Sequence, residues 1–452
     1  MNRKIRIFAF LMSLALIVSL FAGCGDKKGN DDKKGSSGSS STSSKKDSAV
    51  RDLGGRKITY YTYWEEPAKG STAQANAYWK TKTQVEKDFN CTFEFKYVTG
   101  EWFSTLASSI MAGKPNCDVF TAPLSNLYSS VSNGLLVDLK TLDEFDFSES
   151  KWHTATMEKG TVGSSVYAML ASNGETHKVL LYNKDLMNKY KQPDLYEQQK
   201  AGTLTLDSFF STIEAILPGA KADGNDVIAP NTYTFNFYNL LANCYGVNII
   251  AREKGTLNFI NQINDTKVVD AYNKAQELLG KGALMNTAGK DWKYPYNQFI
   301  AEKSVFYMGG SDMGGIFKAA NFDVGMCLMP TADGKYLIDQ SDAIWCGIPK
   351  GVDKADDIAI IFDRMVDVIF TTDYKMRFQD YLTDDAMELM ATISTESQKG
   401  NYNADYFPML ELWHTSVGDN LLSMVDGTMT PAQTVQTIDP VIAAAIKNTL
   451  QQ

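Results

Sequence analysis

The chain has 452 residues, of which 44% are hydrophobic and 12% aromatic, and its formal net charge is −9. The apolar content is ample for buried cores, and the acidic balance argues against a nucleic-acid partner, because phosphate binding needs a basic face. Without the N-terminal segments described below, about 400 residues remain, a length typical of two domains.

The first residues have the pattern of a secretion signal. A basic head of Arg3, Lys4 and Arg6 precedes an apolar run over residues 7–22, which ends in small residues directly before Cys24. The run has signal-sequence length and is short for a transmembrane helix. It resembles a bacterial lipobox, in which the cysteine receives diacylglycerol after cleavage. We predict a signal peptide over residues 1–23 and lipidation of Cys24; an uncleaved membrane anchor is the alternative, and both readings place the rest of the chain outside the cytoplasmic membrane.

A polar segment follows the cysteine. Residues 25–48 consist of Gly, Ser, Asp, Lys, Asn and Thr. Such a segment cannot bury enough apolar surface to offset its conformational entropy, so we expect disorder. We interpret residues 24–50 as a flexible tether.

The first part of the folded region alternates strand and helix patterns. Tyr-, Thr- and Ile-rich runs predict strands, and spaced apolar positions predict helices. The predicted order is strand 57–64, helix 73–90, strand 91–98, helix 102–111, strand 118–121 and helix 124–132. This alternation predicts a parallel sheet with right-handed crossovers, and therefore an α/β domain.

Helices dominate the rest of the chain. We predict strands at 166–169, 178–182, 304–308, 322–329 and 343–348, and helices at 184–191, 206–217, 238–246, 268–281 and 296–302. Residues 355–452 are predicted to be helical throughout.

The cysteines and histidines give no metal-binding motif. Cys91 and Cys117 open two strands that we expect to be neighbours, so a disulfide between them and two buried free thiols are both compatible with the sequence. His153, His177 and His414 lie in no metal-ligand spacing. We predict neither a metal ion nor a cofactor.

Six sequence motifs occur in a fixed order, and together they are more specific for one protein family than any of them is alone. They are ITYYTYW (58–64), MAGKPNCDVF (111–120), GLLVDL (134–139), LYNKDL (181–186), the stretch 299–310 with 323–325 and 329–330, and GTMTPAQ (427–433). In this order they resemble the family 1 extracellular solute-binding proteins of ABC importers, the class that includes the maltose-binding proteins.

The resemblance implies a two-lobe, periplasmic-binding-protein-like α/β fold of type II, with a hinge and a cleft between the lobes. We expect an N-terminal lobe of residues 51–170 plus about 340–380, and a helix-rich C-terminal lobe of residues 171–339 plus about 381–452. The hinge is expected near residues 168–175 and 336–343.

Candidate ligand-binding residues follow from a general rule and from the resemblance. In open α/β sheets, ligands lie beyond the carboxyl ends of the strands. That rule selects Trp64, Glu65, Thr121, Ser125, Asn173, Glu175, Ser311 and Asp312. The resemblance adds Trp413, because maltose-type binders place a stacking aromatic there, and Tyr233, Phe237 and Trp292 are further aromatic candidates.

These residue types suit a sugar. A pyranose ring offers an apolar face to an aromatic side chain, and it offers hydroxyl groups to carboxylates and amides. Together with the resemblance, this predicts a lipid-anchored extracellular protein that captures a carbohydrate, with an oligosaccharide favoured, and delivers it to the permease subunits of an ABC importer. We expect a monomer that is not an enzyme.

Two other functions stay open. Glu65 and Glu66 form an acidic pair, and glycoside hydrolysis needs two facing carboxylates, so a secreted carbohydrate-active hydrolase is one alternative. The sequence contains no nucleophile elbow, zinc-protease, P-loop or dinucleotide-binding motif. A surface protein that senses a sugar without feeding a transporter is the other alternative.

Overall fold

The computed structural model describes most of the chain. It covers residues 50–99, 102–149, 151–169, 178–310, 313–341, 344–370, 375, 378–409, 412 and 415–450. The predictions for the signal peptide and for Cys24, Asn173, Glu175, Ser311, Asp312 and Trp413 fall outside these residues.

Short strands alternate with helices along the described chain. The strands are β1 (Arg56–Thr62), β2 (Cys91–Tyr97), β3 (Val119–Pro123), β4 (Thr161–Val162), β5 (Ser165–Val166), β6 (Val179–Asn183), β7 (Asp226–Pro230), β8 (Ile250–Arg252), β9 (Phe259–Asn261), β10 (Ser304–Gly309), β11 (Val324–Cys327) and β12 (Ile344–Gly347). The helices are α1 (Ala73–Asp88), α2 (Trp102–Met111), α3 (Ser125–Ser132), α4 (Thr154–Gly160), α5 (Lys184–Lys189), α6 (Leu195–Lys200), α7 (Leu206–Ala222), α8 (Phe235–Cys244), α9 (Thr266–Gly280), α10 (Tyr294–Ile300), α11 (Met313–Ala319), α12 (Ala355–Ile369), α13 (Asp384–Gln398), α14 (Tyr406–Met409), α15 (Ser416–Val425) and α16 (Pro431–Leu450).

The first sheet has the strand order β12-β3-β1-β2 and defines the N-terminal lobe. Strand β1 pairs in parallel with both β2 and β3, and β12 runs antiparallel to β3. Alternate β1 residues Ile58, Tyr60 and Thr62 are fully buried. Helices α1 and α12 pack against each other beside this sheet. The predicted parallel α/β arrangement is therefore confirmed, with an antiparallel edge strand.

The second sheet has the order β11-β6-β10-β7 and defines the C-terminal lobe. Strand β10 is parallel to β7 and antiparallel to β6, which is antiparallel to β11. Every residue of β6 and β10 is buried, as expected for central strands covered on both faces. The sequence patterns did not predict β7, because its five residues follow the long helix α7 directly after a turn at Gly224.

The cysteine prediction needs one correction. Strand β1 lies between β2 and β3, so the strand that Cys91 opens and the strand that follows Cys117 are not neighbours. Both cysteines are free and buried. Burial raises the pKa of the Cys91 thiol to about 11, and it also raises the pKa of Cys117, so both thiols are protonated and poorly reactive at neutral pH.

A buried carboxylate ties three elements of the C-terminal lobe together. Asp405 is 1% exposed and precedes α14. Its oxygens accept hydrogen bonds from the backbone N–H groups of Ile249 (2.9 Å), Ile250 (3.0 Å) and Phe407 (2.9 Å), and from Asn243 Nδ2 (2.8 Å). Burial raises the pKa of Asp405, whereas these hydrogen bonds favour its charged form.

Two differences from the sequence prediction concern short elements. The strand expected over residues 166–169 is the two-residue β5 and a single bridge between Met169 and Cys346. The hairpin of β8 and β9 was not predicted, because three-residue strands show too little alternation. In the described part of the chain, no helix combines the length and apolarity needed to cross a membrane.

Candidate functional site

The parallel strands of each sheet end together at one edge. In the N-terminal lobe, Thr62 at the end of β1 pairs with Tyr97 at the end of β2. In the C-terminal lobe, Pro230 at the end of β7 pairs with Met308 near the end of β10. These two carboxyl edges are where ligands of open α/β sheets lie.

The chain passes between the sheets at the same two edges. Strand β12 enters the first sheet with Ile344 opposite Pro123, the last residue of β3. Strand β6 enters the second sheet with Val179 opposite Gly309, the last residue of β10. Both strands therefore begin at a carboxyl edge. The predicted hinge segments, 168–175 and 336–343, directly precede them in the chain, and residues 170–177 and 342–343 fall outside the described residues.

The N-terminal lobe presents an exposed indole at its edge. Trp64 follows β1 and is 38% exposed. Its ring lies 4.7 Å from the ring of Tyr63 and meets Phe370 edge-on at 6.5 Å, measured between ring centroids. Glu65 is exposed next to it, and Ser125 begins α3 beyond the end of β3.

Sequence reasoning missed one aromatic residue at this edge. Tyr97 is the last residue of β2 and is 54% exposed. Its position in the sequence could have indicated it, because Tyr97 lies near the end of the predicted strand 91–98, and the predicted strand before that one ends at Trp64. The two exposed aromatic side chains thus follow neighbouring strands.

Thr121 is not available to a ligand. It is fully buried within β3. Its hydroxyl lies 2.5 Å from Tyr60 Oη and donates to Cys346 Sγ at 3.5 Å. We therefore leave Thr121 out of the candidate site; its position inside a strand covered by neighbours on both sides was invisible in the sequence.

The C-terminal lobe also carries exposed aromatic side chains. Tyr233 follows β7, is 42% exposed and stacks on Phe235 with ring centroids 5.2 Å apart and an interplanar angle of 5°. Trp292 is 66% exposed in the loop before α10. Phe237, by contrast, is 1% exposed in the core of α8 and offers no ring face to a ligand, so we leave it out of the site.

Buried threonines join the loops that carry Tyr233 and Trp292. Thr234 Oγ1 accepts a hydrogen bond from the Thr287 backbone N–H (2.7 Å) and lies 3.0 Å from Thr287 Oγ1. The Thr287 hydroxyl donates to the Thr232 carbonyl at 2.7 Å. Thr234 and Thr287 are 1% and 4% exposed. These hydrogen bonds bring both loops to one edge.

The two carboxylates of the acidic pair at the first edge lie in different surroundings. Glu65 is exposed. Glu66 Oε1 accepts hydrogen bonds from Tyr78 Oη (2.6 Å) and Lys82 Nζ (2.7 Å), so its carboxylate is engaged with α1. Two catalytic carboxylates would have to face each other across a bond. Within the described ranges, no group of three His, Cys, Asp or Glu side chains could hold a metal ion.

The candidate site thus combines exposed aromatic side chains from both lobes with a small number of polar groups. Trp64, Tyr97, Tyr233 and Trp292 are exposed, although aromatic side chains of this size are usually buried. Such an arrangement can enclose a small molecule that has apolar faces and polar rims.

A family model described as "Bacterial extracellular solute-binding protein" matches residues 80–360 of the chain. The match covers more than half of the sequence and includes every strand of the two four-stranded sheets except β1. A search of curated proteins gives no significant match.

Solved structures of similar fold are numerous. An ABC substrate-binding protein, Lmo0181 from Listeria monocytogenes, in complex with cycloalternan, has a TM-score of 0.61 at 16% identity, covering 88% of this chain and 98% of that one. The GacH receptor of Streptomyces glaucescens, solved with acarbose, has a TM-score of 0.60 at 14% sequence identity, and the match covers 87% of this chain and 99% of that one. A cyclo/maltodextrin-binding protein complexed with maltotetraose has a TM-score of 0.60 at 18% sequence identity, and the match covers 88% of this chain and 97% of that one. At these identities the likeness confirms the two-lobe fold.

Proposed function

This chain belongs to the bacterial extracellular solute-binding protein family, and we propose that it captures a carbohydrate, with an oligosaccharide favoured, and delivers it to the permease subunits of an ABC importer. The observation that carries the proposal is the exposure of Trp64 and Tyr233, which follow β1 and β7 at the carboxyl edges of the two sheets. The structural relatives solved with cycloalternan, acarbose and maltotetraose support a carbohydrate as the solute class.

Aromatic side chains suit this task because a pyranose ring has an apolar C–H face. Stacking on an aromatic ring removes that face from water, and polar neighbours take the hydroxyl groups. We propose Glu65 and Ser125, which come after β1 and β3 in the chain, as sources of such groups. We propose Asn173, Glu175, Ser311, Asp312 and Trp413 as further contributors, because they follow strands, occupy the first connection or match the family motif.

Capture is proposed to close the two lobes on the solute. Contacts from both edges would favour the closed form, as a shift of population between open and closed states. Small-angle scattering with a bound sugar should show a more compact particle than without it; equal dimensions would contradict closure.

We also propose that the protein acts as a monomer held at the outer face of the cytoplasmic membrane by a lipid on Cys24, and that it does not alter the captured solute. Incorporation of labelled palmitate should be lost in Cys24→Ala and retained in Cys91→Ala, which removes a buried thiol. Equal labelling of both variants would contradict the anchor.

A thermal-shift screen of the protein starting at residue 50 tests the function. The panel contains maltotetraose, acarbose, cycloalternan and monosaccharides. A sugar at 100 times its dissociation constant should stabilise the fold by about 2.7 kcal/mol. A sugar recovered unchanged supports a binding protein, and a consumed sugar supports the hydrolase. The absence of a shift with any sugar would overturn the carbohydrate assignment.

Single substitutions then test the two platforms. Trp64→Ala and Tyr233→Ala should each weaken sugar binding by about 1–3 kcal/mol in calorimetry. Met111→Ala is the control, because Met111 is also exposed (53%) but ends a helix away from the strand ends. Unchanged affinity in either aromatic variant would remove that residue from the site.

A further inference from the structure

We propose that Glu66 is a positioning residue that holds the Trp64 loop, residues 63–72, against helix α1, so that Trp64 presents one exposed face to the solute. The inference rests on the proposed function for its consequence, but the loop's attachment can be tested without any sugar. The loop joins the end of β1 to the start of α1 and carries both Trp64 and Glu65.

The Glu66 carboxylate receives two donors from successive turns of α1. Its Oε1 accepts the hydroxyl of Tyr78 at 2.6 Å and the ammonium of Lys82 at 2.7 Å. Tyr78 is fully buried, and the side chains of Lys82 and Glu66 are 12% and 29% exposed. Hydrogen bonds of this kind, with a charged acceptor, are about twice as strong as neutral ones.

The neighbouring residues extend the attachment. The indole Nε1 of Trp79 donates to the Pro67 carbonyl at 2.7 Å. The ammonium groups of Lys69 and Lys82 lie 4.3 and 4.9 Å from the Trp79 ring centroid, so a loop lysine and a helix lysine flank one aromatic ring. The loop is thus fastened at residues 66, 67 and 69.

The C-terminal end of the loop is also held. Thr72 caps α1, and its Oγ1 accepts the backbone N–H of Ala75 at 3.0 Å. Ser71 bonds back to the Ala68 carbonyl through its hydroxyl at 2.8 Å. Among the contacts described here between the loop and α1, that of Glu66 lies nearest to Trp64 in the chain, two residues away, and it joins a carboxylate to an ammonium group.

The consequence concerns affinity. A loop that must be ordered when the solute binds loses part of the interaction free energy to conformational entropy, and a loop that is already fixed does not. Removal of the Glu66 carboxylate would leave the buried Tyr78 hydroxyl without this acceptor and would release the chain beside Trp64. Binding should weaken although Glu66 itself does not contact the sugar.

Hydrogen exchange measured by mass spectrometry on the sugar-free protein tests the attachment. Glu66→Ala should raise amide exchange in residues 63–72 by about tenfold, and Glu66→Gln, which keeps an oxygen acceptor, should restore much of the protection. Lys57→Ala is the matched control, because it breaks the Lys57–Glu94 ion pair (2.7 Å) on the same sheet. Unchanged exchange in Glu66→Ala would overturn the proposal.

A double-mutant cycle with maltotetraose tests the consequence. Glu66→Ala should weaken binding by about threefold to tenfold in the wild-type background and much less in a Trp64→Ala background, because its effect acts through Trp64. Equal losses in both backgrounds would overturn a positioning role. If maltotetraose does not bind the wild-type protein, maltotetraose is not the solute. The hydrogen-exchange experiment on the sugar-free protein then still decides whether Glu66 holds the loop.

Discussion

The two lobes support their exposed aromatic side chains by different means. On the N-terminal lobe, the loop that carries Trp64 is attached to α1 through the partly exposed Glu66 carboxylate and a lysine. On the C-terminal lobe, the loops that carry Tyr233 and Trp292 are joined by the buried hydroxyl groups of Thr234 and Thr287. The first support depends on charge near water, and the second depends on neutral groups in the core.

This difference has energetic consequences. An ion pair that keeps some contact with water is weakened by salt, although less than a fully exposed pair. Buried hydrogen bonds are insensitive to salt, but the loss of one partner leaves the other unsatisfied, which is costly. We therefore expect the C-terminal lobe to respond to substitution mainly through stability, and the Trp64 loop to respond through local order and affinity.

The largest expected effect lies in the C-terminal lobe. Each Asp405 oxygen accepts hydrogen bonds from two N–H groups, and Asp405→Asn replaces one of these oxygens with an NH₂ group that cannot accept them. The free energy of unfolding should therefore fall by about 3 kcal/mol. Chemical denaturation checks this, with Asp270→Asn on the exposed side of α9 as the control. Equal stability of the two variants would contradict the role given to Asp405.

The threonine pair should give the next largest effect. Thr234→Val keeps the side-chain shape but removes the acceptor of the buried Thr287 N–H. The free energy of unfolding should fall by about 1–3 kcal/mol, and exchange should rise in residues 285–292. Thr395→Val, on the exposed face of α13, should change stability little. If exchange near Trp292 did not change, the two loops would not depend on each other.

The salt dependence of hydrogen exchange should distinguish the Glu66–Lys82 ion pair from the hydrogen bonds between Thr234 and Thr287. Raising the sodium chloride concentration to about 1 M screens the Glu66–Lys82 ion pair, so exchange in residues 63–72 should rise by about twofold to fivefold. Exchange in residues 232–234 and 285–287 should stay constant, because their hydrogen bonds are neutral and buried. A similar rise in both regions would show that salt acts on the whole fold.

The smallest expected effect comes from a charge at the amino end of β7. Burial raises the pKa of Asp226, so the folded state holds its proton more tightly than the unfolded state. Wild-type stability therefore falls as the pH rises through and above the ordinary carboxyl range, near pH 4, and Asp226→Asn avoids this loss. The variant should be more stable by about 0.5 kcal/mol at pH 7, with a gain that disappears in acid.

Asp333→Asn is the matched comparison for that measurement. A hydrogen bond from Lys335 lowers the pKa of Asp333 to about 2, so this carboxylate favours the folded state above the ordinary carboxyl range and loses that effect as the pH falls. The substitution should therefore act in the opposite direction at pH 7. Two variants with the same sign would contradict the causes given for the pKa shifts.

Local patterns in the sequence determined much of the fold. The strands around Tyr60 and Phe306 and helix α2 were predicted nearly residue by residue, since alternation and helical spacing depend only on near neighbours. The same patterns placed Trp64 directly after a strand, where the structure shows an exposed ring, whereas Tyr233 was chosen only as an aromatic residue because β7 was not predicted.

Only the tertiary structure decided which candidate side chains are exposed. Phe237 and Thr121 are buried because distant segments cover them, and Cys91 is separated from Cys117 because β1 inserts between their strands. The attachment of Glu66 to Tyr78 joins residues twelve positions apart through the return of α1 over the loop. Strand order and side-chain cover arise from contacts between residues far apart in the chain, and one sequence read locally contains no record of which segments meet.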